Sequence, residues 1–241
     1  MNKKKHTLID INLDKIMAFS LFLIFVVSFP NFSKAELSVI PNEISKTCRN
    51  GIAKHYDECG SQEVLLEKAI QLAKKENKVV LISYGAEWCI WCQVFADYIK
   101  GKTTSFTHSY SDKNDLNKNT KTFFERQKSD VEADAKKLSS FVEKNFVLLH
   151  IDTRYSKGNG VNILRKTGSL HRYENWIPFI FTLDKRGKFA GNVGSRCCEV
   201  RRGGSDWFRG YDRKKLLKQL TKVYDRAVKV PKIIKEDNNG P

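Results

Sequence analysis

The stretch Lys78-Val79-Val80-Leu81-Ile82-Ser83-Tyr84-Gly85-Ala86-Glu87-Trp88-Cys89-Ile90-Trp91-Cys92 decides how the rest of the chain is read. Lys78 to Tyr84 is nearly all apolar, as expected of a central strand buried on both faces. A tight turn follows, and then two cysteines at the start of a helix. Phe95, Tyr98 and Ile99 give that helix an apolar side to about Lys100, and Gly101 ends it. A helix N-terminus carries unpaired N–H groups and partial positive charge. A thiol placed there loses its proton more easily, and the thiolate is the reactive form. The second cysteine, three positions on, lies about one helical turn away and can attack a mixed disulfide made by the first. The stretch therefore encodes a two-thiol switch. A structural bridge or half of a zinc site uses the same spacing.

Further along, Ile177-Pro178 opens the apolar run Phe179-Ile180-Phe181-Thr182-Leu183. Together with Ala86-Glu87-Trp88-Cys89-x-x-Cys92 after a β-rich strand, this resembles the thioredoxin superfamily, over roughly Ser61 to Val228. The resemblance implies an α/β fold, a mixed sheet with helices on both faces. It implies Cys89 as nucleophile, Cys92 as the more buried resolving thiol, and no cofactor. It also implies a cis Ile177–Pro178 bond facing the pair, with Ile177 offering backbone hydrogen bonds to an extended substrate. Trp88 and Trp91 frame the cysteines with large apolar surface, Trp88 against the sheet and Trp91 toward substrate. One position departs from the family pattern. The strand leading to the motif usually carries a buried acid, and the register here places Ser83 there. Glu87 is then the candidate for proton transfer, against the plainer reading of a surface carboxylate. Ile90-Trp91 between the cysteines has no His to stabilise the thiolate, which argues against an extreme oxidant.

The remaining elements are arranged around this centre. Glu36 to Gly60 reads as a lead-in, with Leu37–Ile40 as a short edge strand and Cys48 and Cys59 placed to close a local loop. Ser61 caps a helix bearing Leu65, Leu66, Ala69, Ile70 and Ala73 that ends near Asn77. Lys102 to Asn119 is polar and reads as a loop or partly disordered insertion. Thr120 to Asn145 reads as a helix, through Phe124, Val131, Ala135, Leu138 and Val142, so that 102–145 is an inserted, largely helical element. Phe146–Ile151 is another strand, Val161–Lys166 a short helix after a Gly158-Asn159-Gly160 turn. Asp184-Lys185-Arg186-Gly187 is the turn of a hairpin. Gly194–Gly210 reads as an irregular arm, Asp212–Val228 as the last helix and 231–241 as a loose tail. The adjacent Cys197 and Cys198 have several readings. They can bridge to each other, pair with Cys48 and Cys59, serve as a redox relay, or stay free or bind metal. The histidines have no tight metal spacing with the cysteines, so no dedicated metal site is expected.

At 241 residues the chain suits one well-buried domain with additions. Lys3, Lys4, Lys5 and Lys15 precede an uncharged run from Ile16 to Phe29, and Ser33-Lys34-Ala35 offers a small-residue cleavage site. That is the pattern of a secretory leader over residues 1–35, with an uncleaved anchor as the other reading. Export sets the expectations for location and partners: periplasm first, secretion otherwise, and no stable membrane span once the leader is removed. The net charge of +16 is then a solvated basic surface rather than a nucleic-acid footprint. Partners are protein thiols or disulfides and a redox partner protein. The leading function is thiol–disulfide exchange. The alternatives are a binding or chaperone module with structural cysteines and, more weakly, metal handling.

Overall fold

The computed structural model describes residues 36–51, 53–111, 118–153, 160–194 and 196–229. The leader, the tail, residues 112–117 of the insertion and the 158–159 part of the expected turn lie outside the described residues.

The fold is α/β with a mixed five-stranded sheet and five α-helices among the described residues. Strands β1 (Ser38–Ile40), β2 (Val79–Gly85), β5 (Phe146–Asp152), β6 (Phe179–Leu183) and β7 (Phe189–Asn192) lie in the order β1-β5-β2-β6-β7. β1 and β2 both run parallel to β5, from Val79 opposite Phe146 to Gly85 opposite Asp152 in the second pair. β6 is antiparallel to β2, and β7 to β6. The parallel connections need helical crossovers, which α1 (Gln62–Glu76) and the elements between β2 and β5 supply.

Period-two alternation sends the strand side chains to two faces. Val79, Leu81, Phe146, Leu148 and Ile180 join one core with α2 (Ile90–Ile99), α3 (Val131–Asn145) and α5 (Arg213–Val228). Val80, Ile82, Tyr84, Val147, Leu149, Phe179 and Phe181 join the other with α1 and α4 (Gly160–Thr167). Helices therefore cover both faces, and the central strand β2 is buried along its whole length. The helix ends follow local chemistry. Ser61 accepts the Val64 N–H and Asn77 ends α1 in a left-handed conformation, while Asp212 accepts the Lys215 N–H to start α5.

Two expected segments are corrected. The insertion is not a loop followed by one long helix. Its first part is a hairpin of β3 (Ser105–Ser111) and β4 (Lys118–Phe124), and the helix begins only at Val131. Phe106, His108 and Phe123 point inward from this hairpin, while Phe124 is exposed. Thr107 pairs with Thr122 and Ser109 with Thr120 through side-chain hydroxyls at 3.0 and 3.2 Å. Alternating aromatic and β-branched residues favour a strand, and here they outweigh the polar composition. The arm at 194–210 is likewise not irregular throughout. It holds a second hairpin, β8 (Glu199–Arg202) with β9 (Phe208–Tyr211). Phe208 and Tyr211 are buried against α2, which fixes that hairpin beside the cysteine motif.

Candidate redox site

Cys89 is the N-cap of α2. Its backbone is extended, and its sulfur accepts the Cys92 N–H at 3.2 Å while its carbonyl accepts the same N–H at 3.0 Å. No acidic residue stands in the first turn of α2 to offset the positive helix end. Cys89 and Cys92 are joined as a disulfide, with Cα atoms 5.3 Å apart. Cys92 is fully buried, and Cys89 lies nearer the surface. Cys89 thus holds its sulfur at the N-terminal end of α2, where the backbone N–H groups of the first turn point.

The predicted neighbours come together here. Ile177–Pro178 is cis, and Ile177 packs on the cluster of Tyr56, Ala86, Cys89 and Cys92, together with Trp88 and Trp91. Trp88 and Trp91 are both half-buried. The β8–β9 hairpin holds Trp91: Tyr211 meets its ring edge-on at 5.7 Å and donates from Oη to its carbonyl at 3.5 Å, and Arg201 lies over the ring at 5.0 Å. Arg196 covers the exposed Trp176, which precedes Ile177, at 4.2 Å.

Cys197 and Cys198, beside Arg196, are bonded to each other. Cys197 is exposed and Cys198 buried, and the Cys198 carbonyl accepts the Asp212 N–H at 2.7 Å. Cys48 is bonded to Cys59. Closing a loop of that size stabilises by about 3 kcal/mol on chain-entropy arithmetic. Cys48, Asp57 and Cys59 are the one group of three metal-capable side chains among the described residues. Its two sulfurs are bonded together, and the Asp57 carboxylate accepts the N–H groups of Cys59 and Gly60 at 3.0 and 2.9 Å.

Glu87 is buried rather than on the surface. Its Oε2 accepts the backbone N–H groups of His55 and Tyr56 at 2.9 and 3.1 Å. The carboxylate thus clips the lead-in segment onto the motif, and the Cys48–Cys59 bridge closes that segment from the other side. Gln93 performs the matching task for the β3–β4 hairpin. Its side-chain nitrogen donates to the carbonyls of Glu87 and Ser109, and its oxygen meets His108 Nδ1 at 3.1 Å.

Sequence reasoning missed Tyr56, His150 and Glu58. Ser83 Oγ lies 2.9 Å from Tyr56 Oη, and His150, opposite Ser83 in the sheet register, meets the Tyr56 ring edge-on at 4.9 Å. The one signal available for His150 was a lone His in an otherwise apolar strand. Tyr56 sits in a segment without periodicity and had none.

These buried groups make stability depend on pH. Burial pushes His150 well below its ordinary 6.5, lowers His55, and takes His108 down to about 4. A histidine held neutral in the fold contributes stability above its unfolded pKa, and that contribution is lost as pH falls toward the folded value. For His108 alone the shift corresponds to about 3 kcal/mol. Glu58 has the opposite sign. Burial, then the nearby Asp152 carboxylate, raises it to about 7 against the pull of Arg49 at 3.0 Å. Its contribution is present at low pH and is lost as pH rises through about 7. A thermal-melt series is therefore expected to climb steeply from about pH 4 to neutrality, because three histidines outweigh one carboxyl, and to level off between about pH 7 and 8. Glu58→Gln removes the opposing carboxyl, so it should steepen the climb between about pH 4.5 and 7.

Compared with family models, curated proteins and solved structures, the chain matches none of them.

Proposed function

We propose that this protein is an exported thiol–disulfide oxidoreductase of thioredoxin-like fold, acting on protein cysteines through Cys89 and Cys92. The observation that carries this reading is the Cys89 sulfur at the N-cap of α2, accepting the Cys92 N–H at 3.2 Å with its partner sulfur buried behind it. The less buried sulfur at the helix end does the attacking, and the fully buried one within the same turn resolves. The strand order β1-β5-β2-β6-β7, with helices on both faces and a terminal hairpin of β6 and β7, supports the thioredoxin-like part of the reading. So does Ile177–Pro178 against the cysteine cluster, where Ile177 can offer its backbone to an extended chain. Export rests on the basic, apolar and small-residue order of residues 1–35.

The test is trapping. Cys92→Ser keeps the nucleophile and removes the resolving thiol, so incubation with reduced variant and insulin should accumulate a covalent adduct through Cys89. A non-reducing gel and peptide mass mapping read it directly. Absence of any adduct, with wild-type protein also failing to reduce insulin disulfides, would count against the reading and favour a binding module.

A further inference from the structure

We infer that the Tyr56 hydroxyl is a hydrogen-bond donor to the reduced Cys92 sulfur, and that it sets how fast Cys92 releases substrate from Cys89. This rests on the thiol–disulfide reading and assigns a part that Ser83 cannot fill alone.

Gly85 locates the contact. A Cβ built there would stand 2.6 Å from Cys92 Sγ and 2.7 Å from Tyr56 Oη. The sulfur and the hydroxyl therefore both crowd the space over the same glycine, and both residues belong to one buried cluster. Tyr56 is fully buried, and its hydroxyl meets Ser83 Oγ at 2.9 Å. A phenol offers one proton and two lone pairs, and a serine hydroxyl the same. Ser83 can donate to Tyr56 and leave the phenol proton free to point at Cys92. Gly85 has no side chain, so nothing of its own stands between hydroxyl and sulfur.

The reaction needs that donor at one stage. Cys89 thiolate attacks a substrate disulfide, the Cys89–substrate S–S bond forms, and one substrate thiolate leaves. Cys92 thiolate then attacks the Cys89 sulfur. The Cys89–Cys92 bond forms, the bond to substrate breaks, and the second substrate thiol departs with the electron pair. The proton shed by Cys92 balances the one taken up by the leaving thiolate. A thiolate at Cys92 is buried, and burial opposes charge. A hydrogen bond to it offsets part of that cost, and bonds to charged groups are the stronger ones. Tyr56 acts as donor and not as base, because burial holds its hydroxyl protonated well beyond its ordinary range. The other ionisable groups near Tyr56 include His150 on β5, the adjoining His55, the carboxylates of Glu87 and Asp152, and Tyr211. Of these, Glu87 is bound to the Tyr56 backbone rather than to its hydroxyl.

Tyr56→Phe keeps the ring and removes the donor. In that variant the mixed-disulfide intermediate with insulin should be resolved at least about tenfold more slowly, from the loss of one hydrogen bond to a charged sulfur. Measured by alkylation rate against pH in a Cys89→Ser background, the Cys92 pKa should rise. Cys89 alkylation in a Cys92→Ser background should keep its pH profile, which a general loosening of the fold would not spare. Ser83→Ala is expected to move the same two readouts in the same direction by less, and it carries the test if Tyr56→Phe fails to fold. Resolution within twofold of wild type with an unchanged Cys92 pKa overturns the assignment while leaving the enzyme intact. An inactive wild-type protein instead overturns the redox reading beneath it.

Discussion

Cys89→Ser is expected to reduce thiol–disulfide exchange at least about a thousandfold, the scale of loss when an enzyme's nucleophile is removed. The substitution isolates chemistry from folding. Serine is among the best N-cap residues, so its oxygen can take over the Cys92 N–H that the Cys89 sulfur now accepts at 3.2 Å. The bridge it removes spans a separation of only three residues and constrains little of the unfolded chain. Cys92 remains, but it is fully buried under the cluster of Tyr56, Ala86 and Ile177 and has no path to a protein disulfide. Insulin reduction with dithiothreitol as electron donor reads the loss, and circular dichroism with a thermal melt shows that the fold is retained. Activity within tenfold of wild type would mean that the chemistry lies elsewhere, with the exposed Cys197 of the Cys197–Cys198 pair as the next sulfur to test.

What was legible in the sequence has a common physical character. β2, its apolar neighbours β5 and β6, the capped helices α1 and α5, and the Cys89–Cys92 motif are all specified by contiguous residues. Periodicity, caps and turn residues are local signals, and they read well. The β3–β4 hairpin was lost because Ser, Thr, Asn and Lys dominate its composition. The period-two alternation of Phe106 and His108, answered by Phe123, was the weaker signal and the correct one. The β8–β9 hairpin was masked by its glycines and arginines, although Val200, Phe208 and Tyr211 carried its inward side. The site was legible only where it is local. Cys89, Cys92, Trp88 and Trp91 lie in one run, and Ile177–Pro178 was reachable through a family pattern. Tyr56 reaches Cys92 only because Glu87 and the Cys48–Cys59 bridge hold an aperiodic segment in place. That placement is a tertiary fact without a sequence period. Glu87 was misjudged for the related reason that a carboxylate is most often exposed. Two backbone N–H groups satisfy it here and make its burial affordable.

Gly85→Ala should do more harm than the addition of one methyl group suggests. Gly85 ends β2 with its backbone in an ordinary conformation, so the penalty is steric and not conformational. The new Cβ would meet Cys92 Sγ at 2.6 Å, Tyr56 Oη at 2.7 Å and Tyr56 Cζ at 3.1 Å, all well inside van der Waals contact. Neither neighbour is free to yield. Cys92 is fixed by the first turn of α2 and by its bond to Cys89, and Tyr56 is wholly buried with its hydroxyl on Ser83. Overpacking of such a site costs about 1–3 kcal/mol. For a domain of this size each kcal/mol lowers the thermal midpoint by about 2–4 °C. Gly168→Ala supplies the contrast. Gly168 has φ +76°, and no atom stands within 4 Å of its missing Cβ, so its cost is backbone strain and not crowding of a neighbour. It should lose about 1 kcal/mol and keep full exchange activity. Gly85→Ala should lose comparable or greater stability and also fall at least about tenfold in resolution rate, because the Tyr56–Cys92 approach is forced apart. Melting curves and single-turnover resolution of the insulin adduct, run on both variants, separate the two. Equal activity in the two proteins would show that the space over Gly85 serves packing alone.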